Sequence, residues 1–502
     1  MLPMSLTSRR LLWALRLLAL ALIGLHLAAP RFSEATAWGL WPATYLPAGW
    51  RWGLGLAAAA LALLGGRIGR PRRDRPYSPM RFNTPGLRWG VALLASIPFY
   101  LFRIRHVRWG DANILVKAIP HPDVKLTYVW QAPLDVFVHA KAWALGNRLF
   151  GWPDPTPVYW ISSALAGVVF VWILLGLASW LGRDRGERAL LFGLVATLGT
   201  MQLFFGYIEN YSIMTVGVLL YIWLALRAMR GQTSIVWPAA VLALTHAFHP
   251  STIILAPSLL YLAVRMARAE QNRPPVPPTL GGDCAIFPKA HPESIEGLGT
   301  RGPGIRIHPR SGASIGRALV SIAVPYALVF VGVLALMSAG RHGVDALLGV
   351  DFPGGGDRRW FVPLFETTTR WEHYTMFSLG HLVDIVNEQL LVAPMIWPGL
   401  IATAIFAWRR LPRRDPEFRL LALLAALYWL LTLTWNPDYG GQRDWDLFAP
   451  AAAPAALLLG YMLPRALPER VPFRAAGWAL IATQAFHAVA WIYQNTLPWS
   501  KP

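Results

Sequence analysis

Apolar runs of 17–25 residues, separated by short polar turns, recur along the whole chain. A helix rising about 1.5 Å per residue needs about 20 apolar residues to cross a hydrocarbon core about 30 Å thick. Candidate spans lie at roughly 10–29, 49–66, 89–104, 157–180, 189–205, 211–227, 234–247, 251–266, 318–338, 389–408, 418–434, 446–463 and 475–494. The pattern predicts an all-α, polytopic transmembrane helical protein of about 13 spans. The alternating ten-residue segments of an outer-membrane barrel are not seen. The opening stretch, basic and then apolar up to Ala-Ala-Pro, has the form of a signal peptide. With a dozen spans behind it, an uncleaved first helix is expected.

Two segments break the pattern. In 132–150, "APLDVFVHAKAWALGNRLF", Leu134, Phe137, Val138, Ala142, Leu145 and Phe150 follow a rough three-four spacing, while Asp135, Lys141 and Arg148 are polar. That spacing predicts an amphipathic helix lying along the membrane interface. A second such helix is expected over 376–388, where His381, Asp384 and Asn387 recur every third residue. The stretch 267–316 is rich in Pro, Gly and Arg, without helical periodicity, and reads as a flexible cytoplasmic linker. The organisation expected is one membrane domain over 1–502. It has large extracytoplasmic loops at 105–156 and 339–388.

Composition agrees. The 502 residues are 55% hydrophobic and 14% charged, against about 25% charged in soluble domains. The net charge of +20 does not point to nucleic acid, since no soluble segment interleaves a basic stripe with stacking aromatics. Arg crowds the loops 66–88, 182–188, 227–231, 408–419 and 464–474, whereas 206–211 and 246–251 carry no Lys or Arg. The alternation places the N-terminus in the cytoplasm and, with thirteen spans, the C-terminus outside. Arg- and Trp-rich composition points to a bacterial inner membrane. The lone Cys284 rules out an intrachain disulfide and any multi-Cys metal site.

The remaining ionisable residues fall mostly on the expected outer side. They are Asp111 in "WGDANILVK", with Arg105, Arg108 and Lys117 nearby; Glu209 and Asn210 in "GYIENYS"; and His246 and His249 in "LTHAFHPST". The loop 339–388 adds His373, His381 and Asp384, and "NPDYGGQRDWDLFAP" adds Asp438, Arg443, Asp444 and Asp446. Any one of these has an ordinary reading: a solvated loop carboxylate, a helix cap, an interface histidine. Ionisable groups at membrane depth cost about 2.5–3.5 kcal/mol on insertion scales, so five such turns on one face point to a shared polar cavity.

The long acidic loop after span 89–104, the helix 134–150 within it and the outer acidic motifs together resemble the GT-C superfamily of integral-membrane glycosyltransferases. The resemblance covers general architecture from about 89 to 494. Two spans precede the acidic loop where many members have one, and the paired acidic motif of some subfamilies is a single "GD" here. The resemblance implies transfer of a hexosyl or pentosyl group from a polyprenyl-phosphate donor to a lipid, glycan or protein acceptor. On that basis Asp111 is the base of an inverting reaction, which proceeds through an oxocarbenium-like state. Arg443, with Arg105, Arg108 and Lys117 as alternatives, holds the departing phosphate through its planar fork. His246 and His249 hold or protonate phosphate, and Glu209 orients an acceptor hydroxyl or caps the next helix. Asp444 and Asp446, two apart, offer oxygens to Mg²⁺ or Mn²⁺, or else Arg443 pairs with Asp444 in a turn. The alternatives are a secondary transporter or flippase, with its acids mid-span on broken helices, and a polysaccharide ligase or polymerase outside the GT-C fold.

Overall fold

The long apolar runs fold as helices. A computed structural model describes residues 4–68, 84–121, 128–271, 315–341 and 360–499. Most of the 267–316 linker with Cys284, and 342–359 of the second large loop, lie outside the described residues. The principal helices are α1 (Leu6–Ala28), α2 (Ala48–Leu64), α3 (Pro85–Leu101), α4 (Pro133–Phe150), α5 (Thr156–Leu181), α6 (Arg185–Ala196), α7 (Ser212–Met229) and α8 (Val236–Phe248). They continue with α9 (Ala256–Gln271), α10 (Ile315–Ala339), α11 (Leu379–Val392), α12 (Ile396–Ala407), α13 (Pro416–Thr434), α14 (Ala452–Ala466) and α15 (Arg470–Thr496). No strand forms among the described residues; one isolated bridge pairs Phe361 with Trp435. Helix starts follow local chemistry. The Ser5 hydroxyl accepts from Ser8 N–H at 3.2 Å to cap α1, and Asp184 accepts from Gly186 and Glu187 N–H at 2.8 and 3.0 Å to cap α6.

Nine helices among the described residues are long and apolar enough to cross a membrane, or ten if the bent pair α11–α12 is one span. Four of the expected thirteen segments fall short of this length or break. The 89–104 segment is the 17-residue α3. The 189–205 segment splits into the 12-residue α6 and a 3₁₀ turn at Gly199–Phe204. The 234–247 segment is the 13-residue α8. The 389–408 segment bends by 98° between α11 and α12. Pro394 lies in that break, between the end of α11 at Val392 and the start of α12 at Ile396; it has no N–H to continue the helix and restricts the residue before it. The polar residues Thr197 and Gln202 interrupt the other split run.

Packing ranks the spans. The segment Trp445–Ala466 is wholly buried over its most apolar window, whereas that of α10 is 6% buried at a mean hydropathy of 2.5. Small residues explain the central position: Ala449, Ala451, Ala452, Ala453, Ala455 and Ala456 let neighbouring backbones approach closely. A bare helix such as α10 is stable against lipid because its backbone groups bond within the helix. A helix forms over the expected segment as α4, with Leu145, Leu149 and Phe150 exposed and Val136, His139 and Ala140 buried. His139 anchors it, its Nδ1 2.9 Å from the Asp135 carboxylate and its Nε2 2.8 Å from the Ser162 hydroxyl on α5.

Three of the Arg-rich loops, 227–231, 408–419 and 464–474, are joined to one another. Arg410 donates to the Ser8 and Ser5 hydroxyls at 2.9 and 2.8 Å and to the Ala466 carbonyl at 3.0 Å. Arg230 pairs with Glu417 at 2.9 Å. Removing Arg410 as Arg410→Ala is expected to cost about 1–3 kcal/mol, since it leaves several partners of a charged group unmet. Arg409→Ala, at an exposed neighbour, is expected to change stability by less than about 0.5 kcal/mol. Thermal unfolding of the detergent-solubilised variants measures both.

Candidate functional site

Three turns far apart in sequence are stitched together by their backbones. Ile104 N–H donates to the Phe205 carbonyl at 2.8 Å, Arg105 N–H to Asn495 at 3.0 Å, and Gly110 N–H to Arg443 at 2.9 Å. The Trp109 indole N–H donates to Asn495 Oδ1 at 2.6 Å. Its ring lies 5.3 Å from Trp491, which lies 5.4 Å from Trp445. Gly110 has φ +46°, and a Cβ there would sit 2.5 Å from Glu209 Oε1 and 3.1 Å from Asp446 Oδ2. Glycine is required twice over, for the left-handed backbone and for two carboxylates that press against it.

Asp111 sits at the centre of this junction. Its Oδ1 accepts from the Tyr439 hydroxyl at 3.0 Å, and its backbone N–H donates to Glu209 Oε1. Glu209 Oε2 accepts from Asn210 N–H at 3.1 Å. The Tyr207 hydroxyl donates to Asp446 Oδ2 at 2.9 Å, and Tyr439 N–H donates to Asp444 Oδ2 at 2.7 Å. The Arg443 guanidinium lies over the Tyr439 ring at 4.9 Å. Asp384 on α11 joins from the side, accepting from Gly441 N–H at 3.0 Å and from the Trp38 indole at 3.1 Å. A cavity lined by Glu34, Trp38, Trp109, Gln442, Trp491 and Gln494 adjoins the junction.

Crowding and burial set the proton balance. Burial pushes the Glu209 carboxyl well above its ordinary value, and the charges of Asp446 and Asp111 push it further, against the opposing backbone N–H groups. Burial also raises Asp444 well above its ordinary range, with Asp446 adding to the shift. Asp111 is raised by burial too, but the Tyr439 hydroxyl and the Arg443 guanidinium pull it back down. All three carboxyls are raised, but Asp111 less than Glu209 and Asp444, because a hydroxyl and a guanidinium offset part of its burial. Such divergence between adjacent acids is how one site holds a base and a neutral carboxyl together.

The other sequence candidates divide. Arg443, Glu209, Asn210, Asp444 and Asp446 share the junction with Asp111 through the contacts above. Arg108 is turned away: it pairs with Glu34 at 3.0 Å and stacks on Trp499 at 3.7 Å. Arg105 and Lys117 are exposed, and neither is joined to a carboxylate among the described residues. The cation nearest Asp111 by electrostatic effect is therefore Arg443, not the three sequence neighbours. His246 bonds Thr252 at 2.6 Å and the Tyr326 hydroxyl at 2.8 Å, tying α8 to α10. His249 is buried, bonds Ser251 at 2.8 Å and packs 4.8 Å from the Tyr211 ring, one residue beyond Asn210. His373 contacts the Asp438 carbonyl at 2.9 Å, and His381 the Met376 carbonyl at 2.8 Å. Asn387 holds the Gly39 N–H at 2.9 Å and donates to the Thr36 carbonyl at 3.0 Å.

A divalent ion does not fit these donors as they stand. Among the described residues no group of three or more His, Cys, Asp or Glu is arranged to hold a metal ion. Asp444 and Asp446 each give an oxygen to a protein donor, and His381, Asp384 and Asn387 bond separate partners. Two functional candidates escaped the sequence reading. Tyr439 lies inside "NPDYGG", where nothing in the sequence marks its hydroxyl as the donor to Asp111. Glu388 is 2% exposed with both carboxylate oxygens unpartnered. Its spacing of four from Asp384 puts the two acids on one helix face, and that spacing was the available signal.

The class defined is a polytopic helical membrane protein with a buried acidic junction at one end of its bundle. No family model matches the chain, and no curated protein matches it. Among solved structures it is similar to the Archaeoglobus fulgidus oligosaccharyltransferase tethered through a disulfide bond to an acceptor peptide containing the NVT sequon. That similarity is at 14% identity and TM-score 0.38, over 90% of this chain. The chain spans 56% of that protein's length. A likeness of that order fixes neither family nor activity.

The carboxyl shifts give a sign for stability. A carboxyl whose folded value is raised makes folding less favourable as pH climbs from the ordinary value of about 4 toward the folded one. The contribution of these carboxyls to the melting temperature is therefore expected to rise on mild acidification from neutral pH, against the opposite contribution of the buried histidines. Glu209→Gln, which mimics the protonated acid, is expected to flatten that rise. Melting curves across pH in one detergent decide it; an unchanged slope in Glu209→Gln contradicts the assignment.

Proposed function

We propose that the protein is a membrane glycosyltransferase of GT-C type, moving a sugar from a polyprenyl-phosphate donor to an acceptor at the extracytoplasmic surface with inversion. The observation that carries the reading is the convergence of Asp111, Tyr439 and Arg443 in one half-buried junction. Asp111 takes the acceptor hydroxyl's proton. Its partial burial gives it more basicity than a solvated aspartate, and Tyr439 and Arg443 keep a share of it ionised. Arg443, the cation beside it, receives the phosphate oxygens as the glycosidic bond breaks. Protonated Glu209 and Asp444 spare the site a concentration of negative charge that would repel an anionic donor. The exposed apolar face of α4 suits the polyprenyl chain.

One observation favours a second reading, transport of a lipid-linked substrate. The α11–α12 pair is broken by 98° and its first half carries Asp384 and the unpartnered Glu388. Broken helices with acids beside the break are a transporter device.

Asp111→Asn is expected to reduce transfer about 10²–10⁴-fold without lowering expression. The measurement is release of polyprenyl phosphate from a panel of polyprenyl-phosphate hexoses and pentoses incubated with reconstituted protein and membrane extract. Movement of the same labelled lipids across the proteoliposome bilayer is followed in parallel. Lipid movement without sugar release favours the transporter. Full transfer by Asp111→Asn, with loss in Arg443→Ala, favours a ligase that uses no acidic base.

A further inference from the structure

Two histidines inside the spans form a continuous hydrogen-bonded chain unrelated to the acidic junction. His26 on α1 and His487 on α15 are both fully buried. His26 Nδ1 lies 2.7 Å from the Leu22 carbonyl, His26 Nε2 lies 2.8 Å from His487 Nδ1, and His487 Nε2 lies 2.7 Å from the Leu391 carbonyl. Both ends of the chain are carbonyls, which only accept, so both terminal nitrogens carry hydrogen. That uses one proton on each ring. With neutral rings, two lone pairs then face each other at 2.8 Å, which is repulsive. Three hydrogen bonds need three protons, and two neutral imidazoles supply two.

We infer that the His26–His487 pair is a proton-binding site, holding one extra proton between His26 Nε2 and His487 Nδ1 as a shared imidazole–imidazolium. Burial opposes the charge, and the surroundings answer it. His26 lies in the last turn of α1 and Leu391 in the last turn of α11, so two helix C-termini, each a partial negative charge, converge on the cation. Leu391 is past the last helical bond of α11, so His487 also satisfies a carbonyl that the helix leaves open.

Of the ionisable groups on the helices that hold the pair, Arg16 and Asp384 are engaged elsewhere, and Glu388 is buried without a hydrogen-bond partner. Arg16 of α1 donates to the Ala62 and Leu63 carbonyls of α2 at 3.2 and 2.6 Å. Of α11, Asp384 is bonded to Gly441 and Trp38, and Glu388 lies one turn before Leu391 toward the acidic residues. The helix α12 contains no ionisable residue. On α15 the ring beside His26 is Phe486, at 5.8 Å. The proton thus ties α1 and α15 to the end of α11, the helix whose Asp384 and Asn387 hold the Gly441 turn and Gly39.

The sign of the pH dependence follows from counting protons. Below the ordinary histidine value of about 6.5, the unfolded chain binds two protons at these positions and the fold binds one, so stability falls on the acid side. Above it, the fold keeps a proton that the unfolded chain has lost, and that stability disappears as pH rises until the pair releases it. His487→Gln completes the chain without the proton, since one amide group offers two N–H donors, to His26 Nε2 and to the Leu391 carbonyl. The full-length protein, labelled with ¹⁵N-histidine and held in lipid nanodiscs near neutral pH, is examined by NMR. The expected result is one bridging proton coupled to two histidine nitrogens, lost in His487→Gln, and an alkaline fall in melting temperature that is steeper in wild type than in the variant. Four nitrogens showing two protonated and two lone-pair signals, with no bridging proton in wild type, would overturn the site whether or not the variant folds. So would an alkaline fall that persists unchanged in a folded His487→Gln.

Discussion

The costliest arrangement in this structure is the gathering of half-buried Asp111 with buried Glu209, Asp444 and Asp446 at one end of a bundle whose sides are apolar. Four ionised carboxylates cannot coexist there. The fold resolves the conflict with backbone N–H donors, two tyrosine hydroxyls and one guanidinium, and by leaving protons on part of the set. The details around the cluster follow from that. Gly110 carries no side chain because Glu209 and Asp446 occupy the space. The wholly buried span starts at Trp445, directly after the acidic turn, so its first residues are fixed by packing on all sides.

Much of the architecture was legible in the sequence because hydrophobic length and Arg placement are direct consequences of the bilayer. A helix expected over 132–150 appears as Pro133–Phe150. Span number was less legible. Apolar runs at 189–205 and 389–408 read as continuous, yet one passes into a 3₁₀ turn and the other bends by 98°. Periodicity does not record a close backbone approach such as Gly199 against the Leu391 carbonyl, where a Cβ would lie 1.9 Å from oxygen.

The acidic turns were identified from polarity alone, and their meeting was beyond what one sequence specifies. Proximity in the chain was misleading for cations: Arg105, Arg108 and Lys117 surround Asp111 in sequence, while Arg443, 332 residues away, is the one that acts on it. A hydrogen bond such as Gly110 to Arg443 is made between main-chain atoms, and no side-chain pattern announces it. Tyr439 was invisible as a partner for the same reason, since a tyrosine in a glycine-rich turn carries no spacing rule.

The two ends of the bundle differ in kind. One is clamped by arginine to hydroxyls and carbonyls, the other by carboxylates to tyrosines and backbone amides. Chemistry is assigned to the second because its groups differ in proton affinity although they touch. Infrared difference spectra, wild type minus Asp111→Asn and wild type minus Glu209→Gln, followed across pH in lipid nanodiscs, read those affinities directly. Asp111 should show carboxylate bands at lower pH than Glu209, and be substantially ionised where Glu209 is still an acid. A neutral Asp111 throughout that range, or Glu209 ionising first, would contradict the assignment of Asp111 as the base.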